Sequence, residues 1–195
     1  VPVSIMVFYP EVGVKRDVSS KPQADYYALR SLLSVKWLFI PTDEEEQSPM
    51  PGYEYYDTQD NFNIYENLNY LPMGFGYDLY FTRDQLEATP TDLRHLLMIR
   101  GVMLEEDAIQ RNADILEPIQ RITSTNLTYD DYELDVQDRR SATAENFTVT
   151  NTGFTAEANL EEDTLLFFSV PYDEGWSAAI NGEEAVIERA NIGFM

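Results

Sequence analysis

Ser169-Val-Pro-Tyr-Asp-Glu-Gly-Trp176, continued by Ser-Ala-Ala-Ile-Asn-Gly-Glu-Glu-Ala-Val-Ile to Ile187, decides how this chain is read. It spells strand, turn, strand, tight turn, strand. Thr164 to Val170 is rich in β-branched and aromatic residues, the composition of a strand buried on both faces. Pro171 to Gly175 supplies turn residues, and Trp176 is expected to open the next strand. Asn181-Gly182 is a strong hairpin signal, because both central residues of a type I′ turn need positive φ. The sequence stops inside the apolar run Ile192-Gly-Phe-Met195, from which a piece of a larger protein is expected.

Working outward, the preceding segments keep the same rhythm. Leu127–Val136, Phe147–Thr150 and Phe154–Ala158 alternate apolar and polar residues between Asn, Asp, Gly and Ser clusters, which predicts further strands. Evenly spaced short strands predict an antiparallel sandwich. The N-terminal half is mixed. Strands are predicted at Val3–Tyr9, Val35–Ile40, Tyr53–Tyr56 and Phe62–Glu66, with a polar linker over Lys15–Gln23 and a loop from Asp43 to Gly52. Tyr27, Leu29, Leu32 and Leu33 fit a short amphipathic helix. Thr82 with Gln85, and Thr89 with Asp92, match the capping-box spacing, and Pro90 suits a first helical turn. Glu105–Leu116 predicts another helix. Val102–Leu104 is open to either strand or helix. The expected class is therefore α+β, mainly β, with an antiparallel β-sandwich-like core and a few short helices in the N-terminal half. Residues 1–122 form the mixed portion and 123–195 an all-β portion, expected to pack as one unit.

Composition narrows function. The formal charge of −22 repels phosphate backbones and anionic headgroups, so nucleic-acid binding and a basic membrane-docking face are both disfavoured, and no nucleic-acid partner is expected. No cysteine is present, which excludes disulfides and thiolate chemistry. The longest apolar stretch, Leu29 to Pro41, is broken by Arg30 and Lys36 and falls short of a bilayer span. His95 is the single histidine and reads as a surface or packing residue rather than a catalytic one. Among the acidic clusters, Asp130, Asp131 and Asp135 are the first suspects for a weak cation site, against the plainer reading of solvated carboxylates. No catalytic residue, cofactor or metal ligand is assigned.

Aromatic residues crowd between Tyr53 and Phe81. Rings beside amide and carboxylate side chains suit sugars, whose C–H faces stack on π-clouds while hydroxyls find polar partners. The alternative is that these rings are core and strand-face residues. The substrate-binding candidates are Tyr53, Tyr56, Tyr65, Asn67, Tyr70, Asp173 and Trp176. Trp176 is also expected to cap the core, its indole N–H reaching a loop carbonyl.

Three segments carry a resemblance. Leu29-Arg-Ser-Leu-Leu-Ser-Val-Lys-Trp37 resembles the "LLSVKY" segment of the YfhO family of bacterial multispanning membrane proteins, departing from it at Trp37. Tyr65-Glu-Asn-Leu-Asn-Tyr-Leu-Pro-Met-Gly-Phe75 is similar to that family's "YEN…LPLGF" stretch. Ser169 to Trp176 with Ile180-Asn-Gly182, then Ala190 to Phe194, resembles its "PYDxGW…(D/N)G" hairpin and the strand that follows. The ordered set spans most of residues 24–195. The resemblance implies an extracytoplasmic region on the outer face of the bacterial cell membrane, held there by flanking helices that this chain lacks. It further implies a parent that glycosylates cell-wall polymers such as lipoteichoic acid from a lipid-linked sugar. The parent's catalytic carboxylate would lie near its first membrane helices, so this region is expected to be non-catalytic and to contact lipid-linked sugar or wall polymer. A free-standing carbohydrate-binding module and a purely structural domain are the rival readings.

Overall fold

The computed structural model describes residues 24–43 and 50–195. The strand expected over Val3–Tyr9, the linker over Lys15–Gln23 and most of the loop after Asp43 lie outside those residues. A single 3₁₀ turn, Ala24–Tyr26, leads into α1 (Ala28–Leu32). Then come β1 (Trp37–Pro41), β2 (Tyr53–Gln59) and β3 (Phe62–Asn67), followed by β4 (Phe75–Tyr77) and β5 (Leu79–Phe81). Next are α2 (Arg83–Ala88), α3 (Arg94–Arg100), β6 (Val102–Met103), α4 (Glu106–Arg111) and β7 (Glu117–Pro118). The chain ends with α5 (Tyr129–Ser141), β8 (Glu145–Val149), β9 (Phe154–Glu157), β10 (Leu165–Phe167), β11 (Ala178–Ile180) and β12 (Glu183–Ala185).

The class is α+β, but the strands form several small sheets instead of a sandwich. One is a three-stranded antiparallel meander of order β1-β3-β2. A second, of order β6-β5-β7, is parallel, with α2 and α3 between β5 and β6 and α4 between β6 and β7. Parallel neighbours need a crossover, and these helices provide it. The remaining pairs are β4 with β10, β8 with β9, and β11 with β12.

The largest departure from expectation is α5. The stretch Leu127–Val136, read as a strand, is the longest helix, so residues 123–195 are not all-β. Period-two alternation of Tyr132, Leu134 and Val136 competes with a helical spacing of Tyr132, Val136 and Arg139. The helix wins because those three are the buried ones, while Leu134 stays 61% exposed. Its start is fixed by a capping box: the Thr128 hydroxyl accepts from Asp131 N, and the Asp131 carboxylate accepts from Thr128 N at 3.0 Å. Arg139 and Arg140 in the last turn complement the helix dipole.

The Thr82–Gln85 box forms as expected. Thr89 does not cap α3. Its hydroxyl donates instead to the Gln85 carbonyl at 2.7 Å and closes α2, and a 3₁₀ turn over Thr91–Leu93 precedes α3. The Asn181-Gly182 hairpin forms as read, with φ of 54° and 88°. Trp176 lies before β11 rather than within a strand.

One apolar cluster draws on both halves of the chain. Leu32 of α1, Leu97 and Ile99 of α3, Tyr132 and Val136 of α5, and the strand residues Phe75, Tyr77 and Phe167 all belong to it. β4 runs through its centre, all three of its residues buried. Its close fit is visible at Gly74, where φ is +93° and an added Cβ would lie 2.7 Å from the Phe168 ring and 2.8 Å from Ala144 Cβ. Ala144 N donates to the Gly74 carbonyl, and Gly76 N to the Ala142 carbonyl, which stitches the end of α5 to β4.

Candidate functional site

The antiparallel register places the sequence-predicted tyrosines. In β1, β3 and β2, Leu38, Tyr65 and Tyr55 stand side by side on one face, and Trp37, Glu66 and Glu54 on the other. A bulge between Tyr55 and Asp57 inserts Tyr56 as an extra residue. Tyr56 thereby meets Trp37, ring centroids 4.8 Å apart at 59°. Tyr55 meets Tyr65 edge to face at 5.9 Å. Cross-strand ring pairs of this kind stabilise a small sheet by about 0.5–1 kcal/mol each. They also leave large apolar surfaces in water: Tyr55 is 59% exposed, Tyr56 61%, with Phe39 and Phe62 also exposed.

A cation sits at the edge of this patch. Lys36 Nζ lies 5.0 Å from the Trp37 ring, 5.9 Å from the Tyr70 ring and 3.4 Å from Glu66 Oε1. Near the turn, Tyr55 OH and Thr58 Oγ1 are 2.9 Å apart, and Thr58 donates to Asn63 Oδ1. The sheet thus carries the Trp37–Tyr56 ring pair with an ammonium on one face, and the Tyr55–Tyr65 pair with a hydroxyl and an amide on the other.

The structure sorts the candidates into three groups. Tyr56, Tyr65 and Tyr70 join Trp37 and Lys36 on the sheet and its edge. Tyr53 and Asn67, opposite each other in register, are buried. Burial pushes the Tyr53 hydroxyl up to about 12, opposed by the nearby Arg30 charge. Asn67 Nδ2 donates to the Val35 carbonyl and Asn67 Oδ1 accepts from Asn69 N, so its amide is engaged in holding the turn after β3. Asp173 and Trp176 stand with other partners. Asp173 Oδ1 accepts from Gly175 N and shapes its own turn. The Trp176 ring packs on Phe154 at 5.9 Å in an aromatic group with Phe147 and Phe168, so it caps this outer group rather than the main core.

Sequence reasoning missed Trp37 and Lys36 as site residues. Their signal was present: a Lys-Trp pair opening a strand that had to find partners among the tyrosine-rich strands. It missed the bulge at Tyr56 as well.

Two of the acidic suspects, Asp131 and Asp135, have structural partners. Asp135 accepts from Arg100 Nε at 3.1 and 3.2 Å, and Asp131 serves the α5 cap with Arg100 3.9 Å away. Burial raises the Asp135 carboxyl, an effect the Arg100 hydrogen bond opposes; hydrogen bonds from Thr128 lower Asp131. Asp131 and Asp135, one helical turn apart, thus both face the Arg100 guanidinium, and among the described residues no acidic or histidine cluster could hold a metal.

His95 is buried at 4% exposure. Its Nδ1 accepts from Ala28 N at 3.3 Å, and the rings of Tyr26 and Tyr27 meet it edge-on.

The C-terminal part of the chain, from Ile119 onward, contains α5, the hairpin and the Asn191 turn. Residues 119–195 match the family model described as Bacterial membrane protein YfhO. Over that stretch the chain is similar to the YfhO family. The YfhO match includes Asp173 and Trp176, whereas the aromatic sheet precedes it. No curated protein and no solved structure matches the chain. Among the described residues no helix is long and apolar enough to cross a membrane.

Proposed function

We propose that this chain is an extracytoplasmic region of a bacterial membrane protein that handles sugar, and that it does so by holding glycan rather than by transferring it. The glycan would belong to a lipid-linked donor or to a cell-wall polymer such as lipoteichoic acid, presented to a catalytic centre elsewhere in the parent protein. The observation that carries the reading is the Trp37–Tyr56 ring pair on one face of the β1-β3-β2 sheet, with Tyr56 61% exposed, while the Tyr55–Tyr65 pair occupies the opposite face. An exposed ring pair with the Lys36 ammonium beside it suits a hydroxylated ligand with C–H faces. Support for the membrane context comes from the YfhO-family match.

The charge refines the ligand. At −22 the chain repels polyphosphate backbones, so the neutral sugar units of a donor or polymer are the parts that would dock. The test is sugar transfer by the full-length membrane protein carrying Tyr55→Ala and Tyr56→Ala. Reduced transfer, or a changed choice of acceptor, is expected with the protein still made and inserted. Unchanged transfer and acceptor choice would refute the role.

A further inference from the structure

On the side of the molecule where α1 meets α3 and the start of α5, a cleft of about 560 Å³ opens to solvent. Tyr27, His95 and Tyr129 wall it, and Leu93 and Leu127 continue from it into an adjoining depression of about 260 Å³. Its size is that of a small-ligand site. Two exposed carboxylates, Asp25 and Asp92, lie along it. Neither has an ion-pair partner among the described residues, and among those residues no Lys or Arg lines the cleft.

The charge pattern and the ring content together define what fits. Two carboxylates with no ion-pair partner among the described residues, in a chain of charge −22, repel any anion, and they leave a neutral ligand without its best partner. Tyrosine rings and leucine side chains accept an apolar body, and a cation held beside rings gains from their quadrupoles as well as from the carboxylates. The histidine does not fill the cationic role itself: burial pushes it down to about 4, although the Asp92 and Asp25 charges both act in the opposite sense. We propose that this cleft binds a ligand whose recognised group is a protonated primary amine on a compact sugar or alkyl body. Asp25 and Asp92 hold the ammonium group, while Leu93, Leu127 and the Tyr27 and Tyr129 rings cover the rest. The inference stands apart from the aromatic sheet.

The experiment is an NMR titration of the whole chain with glucosamine and with n-butylamine, each against a neutral counterpart, N-acetylglucosamine and n-butanol. Both amines are expected to shift Tyr27, Tyr129 and His95 signals, with the neutral counterparts binding about tenfold more weakly. Asp25→Asn and Asp92→Asn should each weaken amine binding about threefold, the scale of a solvent-exposed ion pair. Asp163→Asn, a remote exposed acid, should leave it unchanged. Equal binding of amine and neutral compounds overturns the proposal. So does an Asp163→Asn effect as large as that of Asp92→Asn, or no shift from either amine at concentrations on the order of tens of millimolar. A failed glycan reading at Trp37 would leave these signals untouched, so the two ideas fail separately.

Discussion

His95 Nδ1 accepts a hydrogen bond from the backbone N–H of Ala28, the first residue of α1. The opening N–H groups of a helix have no partner within it, and Tyr27 at the cap position provides no side-chain acceptor. A buried imidazole from α3 meets that need, which requires Nδ1 to be unprotonated. Burial enforces the same state by pushing the imidazole down to about 4, against a hydrogen bond to the Asp92 backbone and the Asp92 and Asp25 charges.

The pH dependence follows. A histidine whose folded pKa lies below its ordinary value of about 6.5 gives stability that is whole above pH 6.5 and is lost as pH falls toward 4. The unfolded chain takes up a proton there that the folded chain refuses. Urea unfolding at pH 7 and pH 5 is expected to show the chain losing about 2 kcal/mol more than its His95→Gln variant does. Parallel losses in the two proteins would count against the neutral cap.

Removing the α5 cap should be measurable in isolation. Thr128→Ala deletes the hydroxyl that receives Asp131 N, and is expected to cost about 1 kcal/mol of stability without changing the fold. Thr89→Ala tests the contrast, because its hydroxyl closes α2 and leaves α3 uncapped. Helical circular dichroism at partial denaturation should fall for Thr128→Ala.

Gly74→Ala is expected to destabilise more than either. The position combines φ of +93° with contacts of 2.7 and 2.8 Å for the new methyl, neither of them to the end of a flexible chain. Left-handed strain of about 1 kcal/mol and overpacking of about 1–3 kcal/mol both apply. Thermal melting should show a drop of many degrees; a drop no larger than that of Thr128→Ala would mean that β4 and the Phe168 ring can move apart.

How much of this was legible in the sequence depended on range. Asn181-Gly182 and Thr82–Gln85 are local rules, satisfied within four residues, and both came out as read. α5 failed because Tyr132, Leu134 and Val136 fit two periods at once, and only packing against α3 and β4 chooses between them. The parallel sheet was invisible, since β6 and β7 are two residues long and carry no period. For the site, composition located the rings but could not sort them. Tyr53 and Tyr55 share a face of β2, yet only Tyr53 is buried, and Tyr56 meets Trp37 at a bulge that no local signal marks.

The central claim is that the Trp37–Tyr56 surface holds glycan. Its most direct measurement is an NMR titration of the whole chain with neutral hexose and N-acetylhexosamine oligosaccharides, reading the two indole N–H signals. The Trp37 signal should move while Trp176, packed on Phe154, stays still, and Tyr56→Ala should weaken binding about fivefold, the equivalent of about 1 kcal/mol for one lost ring contact. Movement at Trp176 alone, or none at either indole with any sugar, would contradict it.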